Sequence, residues 1–208
     1  PCQQVGGDYY DFIAVDPSRL AIVVADVSGK GMSAALLMAS LRAAIIAEVG
    51  PQLRLEKMAA KLNDFVHSSS APNRFITFFF CELDMRTGIL RYINAGHNPP
   101  IILAKDGVVS RLDPTGFCLG MFPAVNYEVK EVSLEKGQLA VLYTDGITDA
   151  RNQDNAEFGE ENLVGLLKKN MKKPASEIVS QVCSELSSFT AGVEPFDDMT
   201  VIVLKRTG

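Results

Sequence analysis

Two apolar runs in this chain stop at an aspartate, and a third starts just after a pair of them. Arg19 to Asp26 (RLAIVVAD) leads into Val27-Ser28-Gly29-Lys30-Gly31, Gln138 to Thr144 (QLAVLYT) leads into Asp145-Gly146, and Asp197-Asp198 precedes Met199 to Lys205 (MTVIVLK). Short runs of this kind, partly β-branched and bounded by turn residues, indicate buried strands. A carboxylate at a strand end is rigidly mounted, and the adjoining turn exposes it. A fourth acidic turn, Gly6-Gly7-Asp8, opens the chain. Carboxylates that share one cleft repel by about 4 kcal/mol per pair at 4 Å with an effective dielectric near 20. Hard divalent cations relieve that repulsion. Oxygen donors without a His or Cys cluster point to Mg²⁺ or Mn²⁺ rather than Zn²⁺.

Each acidic turn also has a plainer explanation. Asp145-Gly146 alone is an ordinary turn. Asp26 could cap the helix expected from Met32, Asp197-Asp198 could be a solvated loop, and Gly6-Gly7 a strained loop entry. Spacing alone does not bring the four together.

The remaining pattern predicts helices over Met32 to Val49, Leu53 to His67, Phe158 to Asn170 and Pro174 to Phe189. The first is apolar almost all round, so heavy burial is expected. Arg74 to Leu83 and Ile89 to Asn94 predict one hairpin. Pro100 to Ala104 and Val108 to Leu112, around Asp106-Gly107, predict a second. Tyr127 to Leu134 predicts a further strand. Helices grouped between blocks of strands indicate an α+β fold. With 208 residues, 47% of them hydrophobic and 22% charged, a single domain with a sizeable core is expected. A net charge of −5 with no basic cluster argues against nucleic acid as a partner. No apolar run reaches the ~18 residues of a membrane span and no signal peptide opens the chain. The scattered Cys2, Cys81, Cys118 and Cys183 fit reduced thiols in a cytoplasmic protein. The start at Pro1, without an initiator Met, suggests a piece of a longer protein.

Several motifs fail on inspection. Ser28-Gly29-Lys30-Gly31-Met32-Ser33 lacks the glycine spacing of a phosphate loop, and Gly7 to Asp11 lacks the alternating acids of an EF-hand. His97, in Asn94-Ala95-Gly96-His97-Asn98-Pro99-Pro100, is a candidate acid, base or ligand. It is equally a histidine that pins its turn by hydrogen bonds.

Ordered motifs carry a resemblance. VGGDYYDF (Val5 to Phe12), VADVSGKGMSAALLMA (Val24 to Ala39), FITFFFCELD (Phe75 to Asp84), YINAGHNPP (Tyr92 to Pro100), LYTDGITDARN (Leu142 to Asn152), FGEENL (Phe158 to Leu163) and DDMTVIV (Asp197 to Val203) follow one another along the chain. Together they resemble the bacterial branch of PP2C-type metal-dependent serine/threonine phosphatases, the RsbU/SpoIIE-like group. The resemblance implies a sandwich of two antiparallel β-sheets flanked by helices, with two Mn²⁺ or Mg²⁺ ions. Asp8, Asp26, Asp145 and Asp197 match metal-ligand positions, and the resemblance implies that they act through a metal-bound water. The Val27 carbonyl is implied as an extra ligand, and Asp198 as a weaker one. The implied substrate is a phosphoserine or phosphothreonine on a small anti-sigma-factor antagonist, under control of an upstream sensor or receiver domain. The family domain begins about one strand before GGD, so an edge strand is expected to be missing. The Asp26 to Gly31 stretch lacks the histidine of the eukaryotic enzymes, which leaves His97 or water to protonate the leaving group. Two other readings compete. A diguanylate cyclase would place its GGDEF motif late in the domain. A catalytically silent binding module would not be expected to keep all four aspartates.

Overall fold

The structure is a computed structural model that describes residues 6–69 and 74–207. Val5 of the first motif and Cys2 lie outside the described residues. In chain order the elements are β1 Asp8–Asp16, β2 Arg19–Val27, α1 Met32–Glu48, α2 Leu55–Ser69, β3 Ile76–Asp84, β4 Ile89–Ala95 and β5 Ile101–Leu103. They continue with β6 Val109–Arg111, β7 Lys130–Ser133, β8 Leu139–Tyr143, α3 Asp145–Thr148, α4 Gly159–Asn170, α5 Ala175–Phe189 and β9 Val201–Lys205. They fall into two compact units.

The first unit comprises the described residues of 6–99 and 113–133. Its sheet runs β1-β2-β3-β4-β7, with every neighbouring pair antiparallel. Alternate residues of β2 (Ala21, Val23, Ala25, Val27) join Phe78 and Phe80 of β3 in one core. Met38, Leu41 and Ile45 of α1 and Met58, Leu62 and Val66 of α2 pack into the same core. This is the period-two burial that a sheet face under helices requires. The β1–β2 connection is a side-chain-built turn. Asp16 Oδ1 accepts from the backbone N–H of Ser18 at 2.8 Å and of Arg19 at 2.9 Å. Asn63, buried in α2, ties down the chain between β6 and β7: its Oδ1 accepts from the Gly120 N–H and its Nδ2 donates to the Phe122 carbonyl.

The second unit comprises residues 100–112 and 134–207, with a sheet in the order β6-β5-β8-β9, again antiparallel throughout. Ile101, Leu103, Leu139, Val141 and Tyr143 pack with Leu163 and Leu167 of α4 and with Ile178, Val182 and Leu186 of α5. Lys205 Nζ donates to the carbonyls of Met171 and Lys173, fastening the end of β9 to the α4–α5 connection.

Two antiparallel sheets with helices agree with the expected α+β class, and both predicted hairpins form. Three expectations are corrected. Asp8 does not sit in a turn; it opens β1, a nine-residue strand. Three aspartates, a residue type that strands disfavour, hide its alternating pattern. Asp145 begins the short helix α3 rather than a simple turn. α1 buries only one face: Ala34, Met38, Leu41 and Ile45 are covered, whereas Met32 is 66% and Leu36 62% exposed. An all-round apolar helix packed on a single sheet keeps its far side uncovered. Among the described residues no helix is long and apolar enough to cross a membrane. Cys81, Cys118 and Cys183 are free thiols.

Candidate metal centre

In the first unit, Asp8 and Asp26 are direct partners across the β1–β2 ladder. Residues opposite one another in an antiparallel pair project to the same face with their Cβ atoms about 5 Å apart, where like charges destabilise. The odd-numbered residues of β2 face α1 and α2, so the two carboxylates share the other face. Beside them, Gly7 occupies a cradle of oxygens. A Cβ at Gly7 would lie 3.3 Å from Asp26 Oδ1, 3.5 Å from the Val27 carbonyl oxygen and 3.6 Å from that of Gly29. Glycine lets the backbone come close to these oxygens, and oxygen donors suit a hard cation. Asp8 and Asp26 are half-buried and the Val27 side chain is fully buried, which leaves Val27 its carbonyl as the donor.

His97 adjoins this strand end through Thr77. Thr77 is the ladder partner of Asp26, and its Oγ1 lies 2.9 Å from His97 Nδ1. The His97 N–H donates to Asn94 Oδ1 at 2.8 Å, and the residue is 2% exposed. A general acid needs access to its substrate. The buried ring has the surroundings of a turn pin, the second of the two readings that the sequence offered.

In the second unit, Asp145 follows β8 and Asp197-Asp198 precede β9, so the antiparallel pairing of these strands sets the two acidic segments side by side. The ladder continues past the strands: the Thr144 N–H donates to the Thr200 carbonyl, and Thr144 Oγ1 accepts from the Thr200 N–H at 3.0 Å. Gly146 makes the contact closest. A Cβ there would stand 1.9 Å from the Asp198 carbonyl oxygen and 3.4 Å from Asp197 Cβ. Asp197 Oδ1 accepts from the Asp198 N–H at 2.9 Å, while the Asp198 side chain is buried. A cavity of about 660 Å³ opens beside these residues, with Asp145, Asp149, Arg151, Phe196 and Asp197 in its wall. Arg151 donates to Asn155 Oδ1 and Glu157 Oε1. Asp145 and Asp197 face this space, and Asp198 is the less accessible of the pair.

The candidate ligands are thus divided: Asp8, Asp26 and Val27 belong to the first unit, Asp145, Asp197 and Asp198 to the second. Among the described residues no three His, Cys, Asp or Glu side chains form a ready metal-binding group. The sequence motifs contained Thr77 and Thr144 but gave neither a role. A hydroxyl that braces a strand end looks, in sequence, like any strand threonine.

A family model described as Stage II sporulation protein E (SpoIIE) matches residues 16–207. The chain is 30% identical over 233 residues to Protein IcfG of Synechocystis sp., covering 99% of this chain and 37% of that protein. It is 31% identical over 207 residues to Phosphoserine phosphatase RsbU of Bacillus subtilis, covering 99% of this chain and 61% of that protein. The chain therefore spans less than two thirds of either relative. Among solved structures, the SiaA-PP2C domain of Pseudomonas aeruginosa superposes with a TM-score of 0.86 at 23% identity, over 99% of this chain and 82% of that one.

Proposed function

The chain belongs to the SpoIIE family of PP2C-type phosphatase domains, and from that premise we propose that it is a metal-dependent protein phosphatase acting on phosphoserine or phosphothreonine. The observation that carries this reading is the opposed pair Asp8 and Asp26 beside the oxygen-lined cradle at Gly7. Two like charges are held together there, among oxygen donors of the kind that a neutralising cation takes. The ligands would be the carboxylates of Asp8, Asp26, Asp145 and Asp197 with the Val27 carbonyl, Asp198 contributing less. Their all-oxygen chemistry fits Mg²⁺ or Mn²⁺. Two such ions, when bound, supply the Lewis acidity that activates water and offsets phosphoryl charge.

The chain's own residues do the rest. Gly7 and Gly146 keep backbone and carboxylates close, Thr77 and Thr144 brace the strand ends, and the cavity beside Asp145 and Asp197 admits the chain that bears the phosphate. Burial raises the thiols of Cys81 and Cys118, so neither offers a thiolate nucleophile. Water attack requires none. The substrate we infer is a small phosphorylated anti-sigma-factor antagonist, with upstream sensor or receiver domains controlling its release.

The test is Mn²⁺- or Mg²⁺-dependent phosphate release from an aryl phosphate and from a phosphoserine peptide. Asp26→Ala and Asp145→Ala should each lower kcat by about 10²-fold or more, the scale of losing a group that stabilises transition-state charge. Unchanged rates in both variants would sink the mechanism.

A further inference from the structure

The cavity beside Asp145 and Asp197 has an apolar wall that the chemistry at the carboxylates does not use. Phe196, next to the candidate ligand Asp197, is 85% exposed, the most of any large apolar side chain among the described residues. Val193, Pro195 and Met199 line the same cavity. One apolar side chain in water is ordinary, but a contiguous group of them at a cleft marks a place where something apolar is received.

Hydrogen bonds on both sides hold this wall in place. After α5 the Thr190 N–H donates to the Leu186 carbonyl and the Val193 N–H to the Thr190 carbonyl, both at 2.8 Å. Gln153 Nε2 donates to the Ala191 carbonyl at 2.9 Å, which ties the segment to the turn at 152–155. That turn is itself closed by Asn152 Oδ1, which accepts from the N–H groups of Asp154 and Ala156. The two sides of the cavity are therefore fastened to each other before anything binds. Its volume of about 660 Å³ falls within the roughly 300–1,000 Å³ that takes a drug-sized ligand. A phosphoseryl side chain alone does not need that space, so a neighbour in the substrate's chain enters with it. Charge narrows the choice of neighbour. Asp149 and Glu194 stand in the wall, and the cation there, Arg151, is already engaged by Asn155 and Glu157. An acidic neighbour would meet like charge.

We propose that this wall is a specificity subsite, in which Phe196, with Pro195 and Met199, takes an apolar side chain flanking the phosphoserine of the substrate. The inference rests on the phosphatase reading for the phosphate and adds the neighbour that the site selects. The probes are phosphoserine peptides built on alanine, with one Leu, Asp or Arg at each neighbouring position in turn, assayed with the Mn²⁺-loaded chain. At one or more positions Leu should raise kcat/KM about tenfold over Ala, the scale on which a hydrophobic pocket discriminates, and Asp should lower it. Phe196→Ala should bring the Leu-to-Ala ratio to about one, and Phe196→Leu should restore part of the preference. Each ratio compares two peptides on the same protein, so a general loss of folding or of metal does not move it. A wild type that does not distinguish Leu from Ala overturns the subsite, and so does a preference that survives in Phe196→Ala. A preference for Arg over Leu overturns it as well, since it assigns the selection to Asp149 and Glu194. The same peptides carrying a non-hydrolysable phosphonate, followed by fluorescence anisotropy, separate the two readings. If no phosphoserine peptide is hydrolysed while phosphonate binding shows the Phe196-dependent preference for Leu, the subsite stands and the phosphatase reading falls. If the preference is absent from binding as well, the subsite falls with it.

Discussion

Gly146 shows how much a single missing methyl group can decide. Its backbone is not left-handed, so the usual reason for a glycine in a turn does not apply. The reason is room: the Asp198 carbonyl stands where a Cβ would go. Gly146→Ala must therefore push apart the two acidic segments that flank β8 and β9. The expected outcome is a loss of stability on the order of 3 kcal/mol or more in denaturant melts, together with weaker Mg²⁺ binding by calorimetry. Gly7 is a gentler case, because its nearest neighbour is a side-chain oxygen at 3.3 Å that can give way. From the sequence, Asp145-Gly146 was a generic turn and Gly6-Gly7 a loop entry. The demand for space at either site comes from residues far away in the chain, which no local reading contains.

At the scale of elements, the β1–β2 hairpin carries its own pH signature. The backbone N–H of Ser18, and after it the side chain of Arg19, hold Asp16 down from 3.8 to about 2. The folded chain thus prefers the carboxylate. That contribution is complete above the ordinary value and is lost as pH falls toward about 2. Asp16→Asn should lower the Tm at neutral pH and flatten the acid limb of a Tm-against-pH curve, so that variant and wild type converge as pH falls from about 4 toward about 2. The hairpin also marks where the sequence became illegible. β2, with Ala21 to Ala25 wholly buried, announced itself by its apolar run. Its partner β1 is an edge strand whose Tyr10 and Phe12 are exposed and whose other positions include Asp8, Asp11 and Asp16. No burial run marks it, and the three aspartates offset the strand propensity of its tyrosines, Phe12, Ile13 and Val15. α1 failed in the opposite sense: composition promised burial all round, but only tertiary packing determines how many faces are covered.

For the molecule as a whole, the candidate aspartates lie in two compact units, Asp8 and Asp26 in the first and Asp145, Asp197 and Asp198 in the second. Apolar runs made the strands legible, and their carboxylate ends made the candidates legible. What remained unreadable was pairing, since Asp8 meets Asp26 through a ladder and Asp145 meets Asp197 through another. The division suggests a test by stability rather than by rate. Mg²⁺ at about 100 times its Kd should stabilise the wild type by about 2.7 kcal/mol, and Asp26→Asn should forfeit most of that gain. Without metal the sign should reverse: Asp26→Asn removes the repulsion with Asp8 and should melt at or above the wild type in chelator. Equal Tm changes under both conditions would contradict a cation between these carboxylates. The Asx turn at Asp16 then acquires a second meaning, as a gauge block. Side chains alternate between faces, so one residue more or fewer at that turn would bring Asp8 level with Ala25 or Val27, which face the helices, instead of Asp26. A site at one end of the hairpin is thus calibrated by a few hydrogen bonds at the other, and insertion there would dismantle it with every ligand still in the sequence.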